Sequence, residues 1–282
     1  MKLIVRHQTI YRYESGSSRV GMLLRLKPSD NDSQKVSEWQ VTVNDKPVTA
    51  FMRNGHGDME ALWICHELLD GATIVANGVV ETTDRSGIIS GLQFQPDPRV
   101  YLRETALTEA SVVMCELAEA TTAETMLDRL HLLSRHIRDA VTYRTGATHA
   151  GTTAAHAFDI GAGVCQDHAQ IFLAMARHIA VPARYVSGYL MAAPEQGALH
   201  ETHAWAEAWI DDLGWVGFDI SNGVCVTDQY IRLASGLDAH DAAPVRGTAL
   251  GSGAITVDAD VRIDSINPDY QQSTVVELTQ EQ

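Results

Sequence analysis

The feature that most narrows the fold is a change of hydrophobic period between residues 83 and 99. Before it the chain alternates: Leu3, Val5, His7, Thr9, Tyr11 and Tyr13 fall on one side and Ile4, Arg6, Gln8, Ile10 and Arg12 on the other, the two-residue repeat of an extended strand. Strand-like runs recur at residues 22–26, 36–43, 61–68 and 73–80. Turn formers separate them, as in Pro28-Ser29-Asp30-Asn31-Asp32, Asn44-Asp45 and Asn54-Gly55. Short strands punctuated this way predict an antiparallel β-sandwich over residues 1–85. Beyond the segment the repeat is helical. Met126, Leu127, Leu130, Leu133, Ile137 and Val141 make one apolar face, predicting a helix to about Ala140 that starts at Thr121, which has capping-box spacing to Glu124. The segment itself, with Gly87, Gly91, Pro96 and Pro98, reads as a linker. Because single cores stop growing near the length of this 282-residue chain, two domains are expected, at 1–85 and 100–282.

In the second domain a short helical piece at 154–158 precedes Gly161-Ala162-Gly163-Val164-Cys165-Gln166-Asp167-His168. Ala169, Phe172, Leu173, Ala176 and Ile179 then form another helical stripe, ended by Val181-Pro182. Strand patterns follow at 183–190, 203–210 and 215–219. Helices leading into an antiparallel sheet make the second half, and the whole chain, α+β.

Composition removes several functions. A formal net charge of -15 leaves no broad cationic surface for nucleic acid or an anionic membrane. The N-terminus lacks the apolar run of a signal peptide, and no stretch reaches the roughly 18 apolar residues of a membrane span, so a cytoplasmic location is expected. Cys65, Cys115, Cys165 and Cys225 are widely spaced, unlike a zinc ribbon or a disulfide scaffold, and each is expected as a free thiol.

Among these, Cys165 alone stands at a predicted helix N-terminus behind a glycine-rich loop, where the helix dipole and unpaired N–H groups favour the thiolate. Cys65 and Cys115 lie in apolar patterns, and Cys225 follows a turn. A thiol nucleophile needs a base and a group to orient that base. His203 opens the strand 203–210, and Asp219 ends the next one, after the turn Asp211-Asp212-Leu213-Gly214. A hairpin there sets 210 opposite 215 and 206 opposite 219, bringing Asp219 within one diagonal step of His203. The run His200-Glu201-Thr202-His203 lacks the i, i+4 histidine pair of a helical zinc site. No metal or cofactor is expected.

Four segments carry a resemblance: Gly163-Val164-Cys165-Gln166-Asp167, residues 182–190, His203-Ala204-Trp205-Ala206-Glu207 and Gly214-Trp215-Val216-Gly217-Phe218-Asp219. In this order they resemble the bacterial transglutaminase-like family of cysteine proteases, a likeness extending to residues 143–148, to 244–247 and to the β-rich N-terminal domain. The resemblance implies a transglutaminase-like, papain-like core with Cys165, His203 and Asp219 as its triad, and an amide hydrolase or acyl transferase working through a thioester. Peptide or protein amides are the implied substrates. The backbone N–H of Cys165 is an oxyanion donor in this scheme, and Tyr143, Gln166, Asp167 and His168 are further oxyanion or cleft candidates. Asp167, Arg184 and Glu207 read otherwise as salt-bridged or solvated, and Trp205 and Trp209 as core. Two departures stand out: Ile220-Ser221 where the family has Pro-Thr, and His168, read as a partly exposed helix residue, where it carries an aromatic ring. The alternative is a catalytically silent binding module of the same shape. Oligomeric state and substrate identity are not legible.

Overall fold

A computed structural model describes residues 1–191 and 202–265. The alternating N-terminal region forms β1 (Lys2–Ser17), β2 (Arg19–Lys27), β3 (Gln34–Val43), β4 (Met59–Cys65) and β5 (Leu69–Thr82). In β1 the alternation is literal: Leu3, Val5, His7 and Thr9 are buried, whereas Lys2, Ile4 and Arg6 face outward. Helices α1 (Val112–Ala120), α2 (Met126–Ala140), α3 (Ala154–Ile160) and α4 (Cys165–His178) follow. The chain continues as β6 (Ala183–Leu190), β7 (His203–Ile210), β8 (Gly214–Asp219), β9 (Tyr230–Gly236), β10 (Val245–Leu250) and β11 (Ile255–Ser265).

Three antiparallel sheets result. One has the order β11-β1-β5-β3 with the short strand 46–47 at its edge, a second β10-β2-β4 with 52–53, and a third β8-β7-β6-β9 with 224–225 beside β8. The first two enclose one core, in which Leu3, Met22, Leu24, Val41 and Ile74 meet. Strands β10 and β11 depart from the expected division of the chain, for they pair with β2 and β1 and complete the sandwich. Pairings as distant in sequence as Leu3 with Ser265 leave no trace in local periodicity.

The third sheet carries α4 on one side, and α1, α2 and α3 surround that helix. Every α4 residue from Asp167 to Arg177 is therefore buried, as is most of β7. The sandwich packs directly on this sheet, since Tyr189, Ile231, Leu233 and Ala234 belong to its apolar core. Helix α2 starts with its apolar stripe at Met126, later than the capping-box spacing of Thr121 and Glu124 predicts. Thr125 is its N-cap, accepting from the Asp128 N–H at 3.1 Å, while Thr121 closes α1 by donating to the Leu117 carbonyl at 2.8 Å. Among the described residues no helix is long and apolar enough to cross a membrane.

Candidate active site

Cys165 is the first residue of α4 and is half-buried. Its approach is fixed by a short parallel bridge of Ala162 and Gly163 with Thr142 and Tyr143. Asp167 then folds back over the helix start, accepting from the Val164 N–H at 2.8 Å and from the Thr148 hydroxyl at 2.6 Å. A side chain on Gly163 would meet Asp167 Cβ at 2.7 Å, so this cap requires glycine there. Asp167 is thus a buried cap and not a solvated residue. Gln166 donates to the Ala150 carbonyl at 3.3 Å, tying down the preceding loop. The Tyr143 ring, 45% exposed, stands 6.2 Å from the His168 ring, centre to centre.

His203 Nε2 lies 2.7 Å from Asp219 Oδ2, with the Asp219 side chain fully buried and that of His203 13% exposed. The imidazole also hydrogen-bonds the Cys165 side chain. Burial pushes the imidazole pKa down, but the bonds to Asp219 and Cys165 and the charge of both outweigh it, raising it to about 10. Burial likewise pushes the Asp219 carboxyl up, and its bonds to His203, Asn222 and Tyr230 bring it below the ordinary carboxylate range.

The hairpin achieves this by a register one residue from the expected one. Ile210 pairs with Gly214 and Ala206 with Phe218. The loop has three residues, Asp211 to Leu213, and Asp212 and Gly214 take positive φ angles of 70° and 81°. Continuing the ladder sets Asp219 opposite Trp205, on the face that also carries His203. The expected register would have placed it opposite Ala206, on the other face, because a one-residue slip inverts every side chain.

Asp219 takes more donors than His203 alone. Asn222 donates its side-chain amide to Oδ2 at 2.6 Å and its backbone N–H to Oδ1 at 3.1 Å, and the Tyr230 hydroxyl donates to Oδ2 at 2.7 Å. The Asp-x-x-Asn spacing is a local turn signal. Tyr230, eleven residues on at the start of β9, has no such signal.

His168 is 1% exposed, not the partly exposed helix residue expected. Its Nε2 meets the Val141 carbonyl at 2.9 Å and its Nδ1 the Ser221 hydroxyl at 2.7 Å. A carbonyl only accepts, so Nε2 carries the proton and Ser221 donates to Nδ1. Burial lowers the pKa of this ring and keeps it neutral. The two positions at which the chain departs from the resembled pattern are thus bonded to each other. Both ring nitrogens are occupied away from the thiol.

Arg184 and Glu207 form a fully buried ion pair with N–O 2.6 Å, which Arg232 and Asp58 extend. Trp205 is core at 1% exposure, and Trp209 packs at the edge of the same cluster. Among the described residues no cluster of three His, Cys, Asp or Glu side chains is disposed to hold a metal ion. His200 and Glu201 lie outside the described residues.

Residues 116–220, which include Cys165, His203 and Asp219, match the transglutaminase-like superfamily, and residues 3–81 match the bacterial transglutaminase-like N-terminal region. The uncharacterized protein ML0607 of Mycobacterium leprae is 28% identical, across 93% of this chain and 98% of its own. The uncharacterized protein Rv2569c of Mycobacterium tuberculosis is 27% identical over 93% of this chain and 91% of that one. A crystal structure from Cytophaga hutchinsonii, described as a "putative cysteine protease", superposes with TM-score 0.75 at 21% identity, over 96% of this chain and 92% of that one. At that identity the likeness is one of fold.

Proposed function

With residues 116–220 a member of the transglutaminase-like superfamily and residues 3–81 a bacterial transglutaminase-like N-terminal region, we propose that the chain is a thiol acyl-transfer enzyme acting on peptide or protein amides. The observation that carries the reading is the unbroken line of contacts from Cys165 to His203 to Asp219. In this reading the Cys165 sulfur attacks the amide carbonyl carbon, and the C–N bond breaks as His203 gives its proton to the departing amine. A thioester remains on Cys165. His203, now neutral, takes a proton from the incoming water or amine and keeps it as the C–S bond breaks, so that the thiolate leaves beside the restored imidazolium. Asp219 holds the imidazole by Nε2 and stabilises its cation. The Cys165 backbone N–H donates to the developing oxyanion, with the Tyr143 hydroxyl as a second donor.

Hydrolysis of peptide or isopeptide-like amides is the proposed main outcome, in keeping with the cysteine-protease description of the Cytophaga protein. Glutamine-containing peptides incubated with and without a millimolar primary amine separate the outcomes by product mass, and a trapped acyl adduct on Cys165 identifies the donor. Hydrolysed product is expected in both arms. Predominant amide exchange at modest amine concentration would overturn the hydrolase assignment alone, because only the second half-reaction differs. No acyl adduct on Cys165 with any peptide would overturn the enzyme reading.

A further inference from the structure

We infer that Tyr230 is a positioning residue for Asp219 and that the N-terminal sandwich holds Tyr230 in place. The inference rests on the triad reading above. It assigns the sandwich a part in the site through its hold on β9.

Strand β9 is an edge strand, laddered on one side only, to β6, with Leu190 opposite Tyr230 and Gly188 opposite Arg232. An edge leaves backbone donors and acceptors to be satisfied elsewhere. The sandwich satisfies them with side chains. Gln34 accepts from the Arg232 N–H at 2.8 Å and donates to the Arg232 carbonyl at 3.0 Å, as the peptide group of a further strand would. Asp58 pairs with the Arg232 guanidinium at 2.6 Å and accepts the Ser235 N–H at 2.6 Å. Thr82 donates to the Asp228 carbonyl at 2.5 Å. Tyr230 thus lies between two gripped residues, Asp228 and Arg232.

From this position its hydroxyl reaches Asp219 Oδ2 at 2.7 Å, and its ring stands 6.1 Å from the His203 ring, centre to centre. Burial and the Asp219 charge raise the Tyr230 pKa far above that of a free phenol, so it stays protonated and donates to the carboxylate. The other titratable groups acting on Asp219 or Tyr230 are His203 from β7, His168 from α4 and Cys225 from the strand beside β8. Of these, His203 shares the same carboxylate oxygen. The phenol therefore divides the charge of Oδ2 with the imidazole and fixes where that oxygen sits.

The test reads the His203–Asp219 bond itself. In proton NMR of the full-length protein the imidazole Nε2 proton gives a far-downfield resonance, assigned by its loss in Asp219→Asn. The pH at which it disappears on the acid side reports protonation of Asp219. Tyr230→Phe removes one donor from the carboxylate, so the resonance should move further downfield and its acid midpoint rise by about one pH unit. Gln34→Ala, which loosens the grip without touching the site, should shift the midpoint in the same direction by less. A lowered unfolding temperature with an unchanged resonance and midpoint in both variants would make Tyr230 an ordinary core residue and overturn the inference. The readout needs neither substrate nor a reactive thiol. A shifted resonance beside an unreactive Cys165 would overturn the enzyme reading and uphold the positioning role, whereas an unshifted one beside a reactive Cys165 would overturn the positioning role alone.

Discussion

His203 and Asp219 touch at 2.7 Å although neither is the other's partner in the hairpin that carries them. Asp219 falls opposite Trp205, one pleat along β7 from His203, and the diagonal is closed by the length of the two side chains on a shared face. Diagonal neighbours stand about 7 to 8 Å apart at the backbone, within reach of a histidine and a carboxylate. The bond depends on a three-residue loop. A loop with one residue more or fewer would turn Asp219 to the opposite face of the sheet.

Asp219→Asn should therefore leave the sheet folded and remove turnover. The amide fills the same space, but the negative charge that holds the imidazolium is gone. By analogy with other triads a loss of about three to four orders of magnitude in kcat is expected, measured on any peptide that yields a Cys165 acyl adduct. A variant within tenfold of wild type would mean that another group orients His203.

Cys165 should outpace the other thiols toward iodoacetamide at pH 6 by about tenfold or more. Its partner imidazole, raised to about 10, is cationic throughout the neutral range. Burial raises the Cys115 and Cys225 thiols, and for Cys115 nearby Glu119 adds to the effect. Site-resolved mass spectrometry checks the order. Equal labelling of all four cysteines would favour a non-catalytic binding module.

Restoring an aromatic ring with His168→Phe is not the neutral change the family pattern implies. It strips partners from the Val141 carbonyl and the Ser221 hydroxyl, both bonded to the buried imidazole. A loss of about 1 to 3 kcal/mol in unfolding free energy is expected, read by urea denaturation. Wild-type stability in this variant would show that neither bond matters.

His7 predicts an acid-sensitive sandwich. Burial, partly opposed by Asp260, lowers its imidazole pKa from 6.5 to about 4, and both nitrogens are bonded, to Tyr189 at 2.8 Å and Thr9 at 2.9 Å. Between these two values the unfolded chain binds a proton that the folded chain refuses. The contribution is complete above pH 6.5 and falls by about 3 kcal/mol by pH 4. His7→Gln should be less stable than wild type at pH 7 yet lose less on acidification, as paired denaturation curves at pH 7 and 4.5 would show. Parallel losses would refute the assignment.

Local pattern carried the sequence far. The alternation of residues 3–13 reports which faces of β1 are buried, and the stripe after Cys165 reports that α4 starts there, because both periods record side-chain burial within one element. For the same reason Cys165, His203 and Asp219 could be picked by residue type and position at element ends. What local period does not encode is the choice of partner. The one-residue register that puts His203 and Asp219 on one face, the return of β10 and β11 to the sandwich, the bond between His168 and Ser221, and the grip of Gln34 and Asp58 on the strand that presents Tyr230 all join residues distant in sequence or set by loop geometry. Each is selected by the packing of whole elements against one another, and so only the tertiary structure decided it.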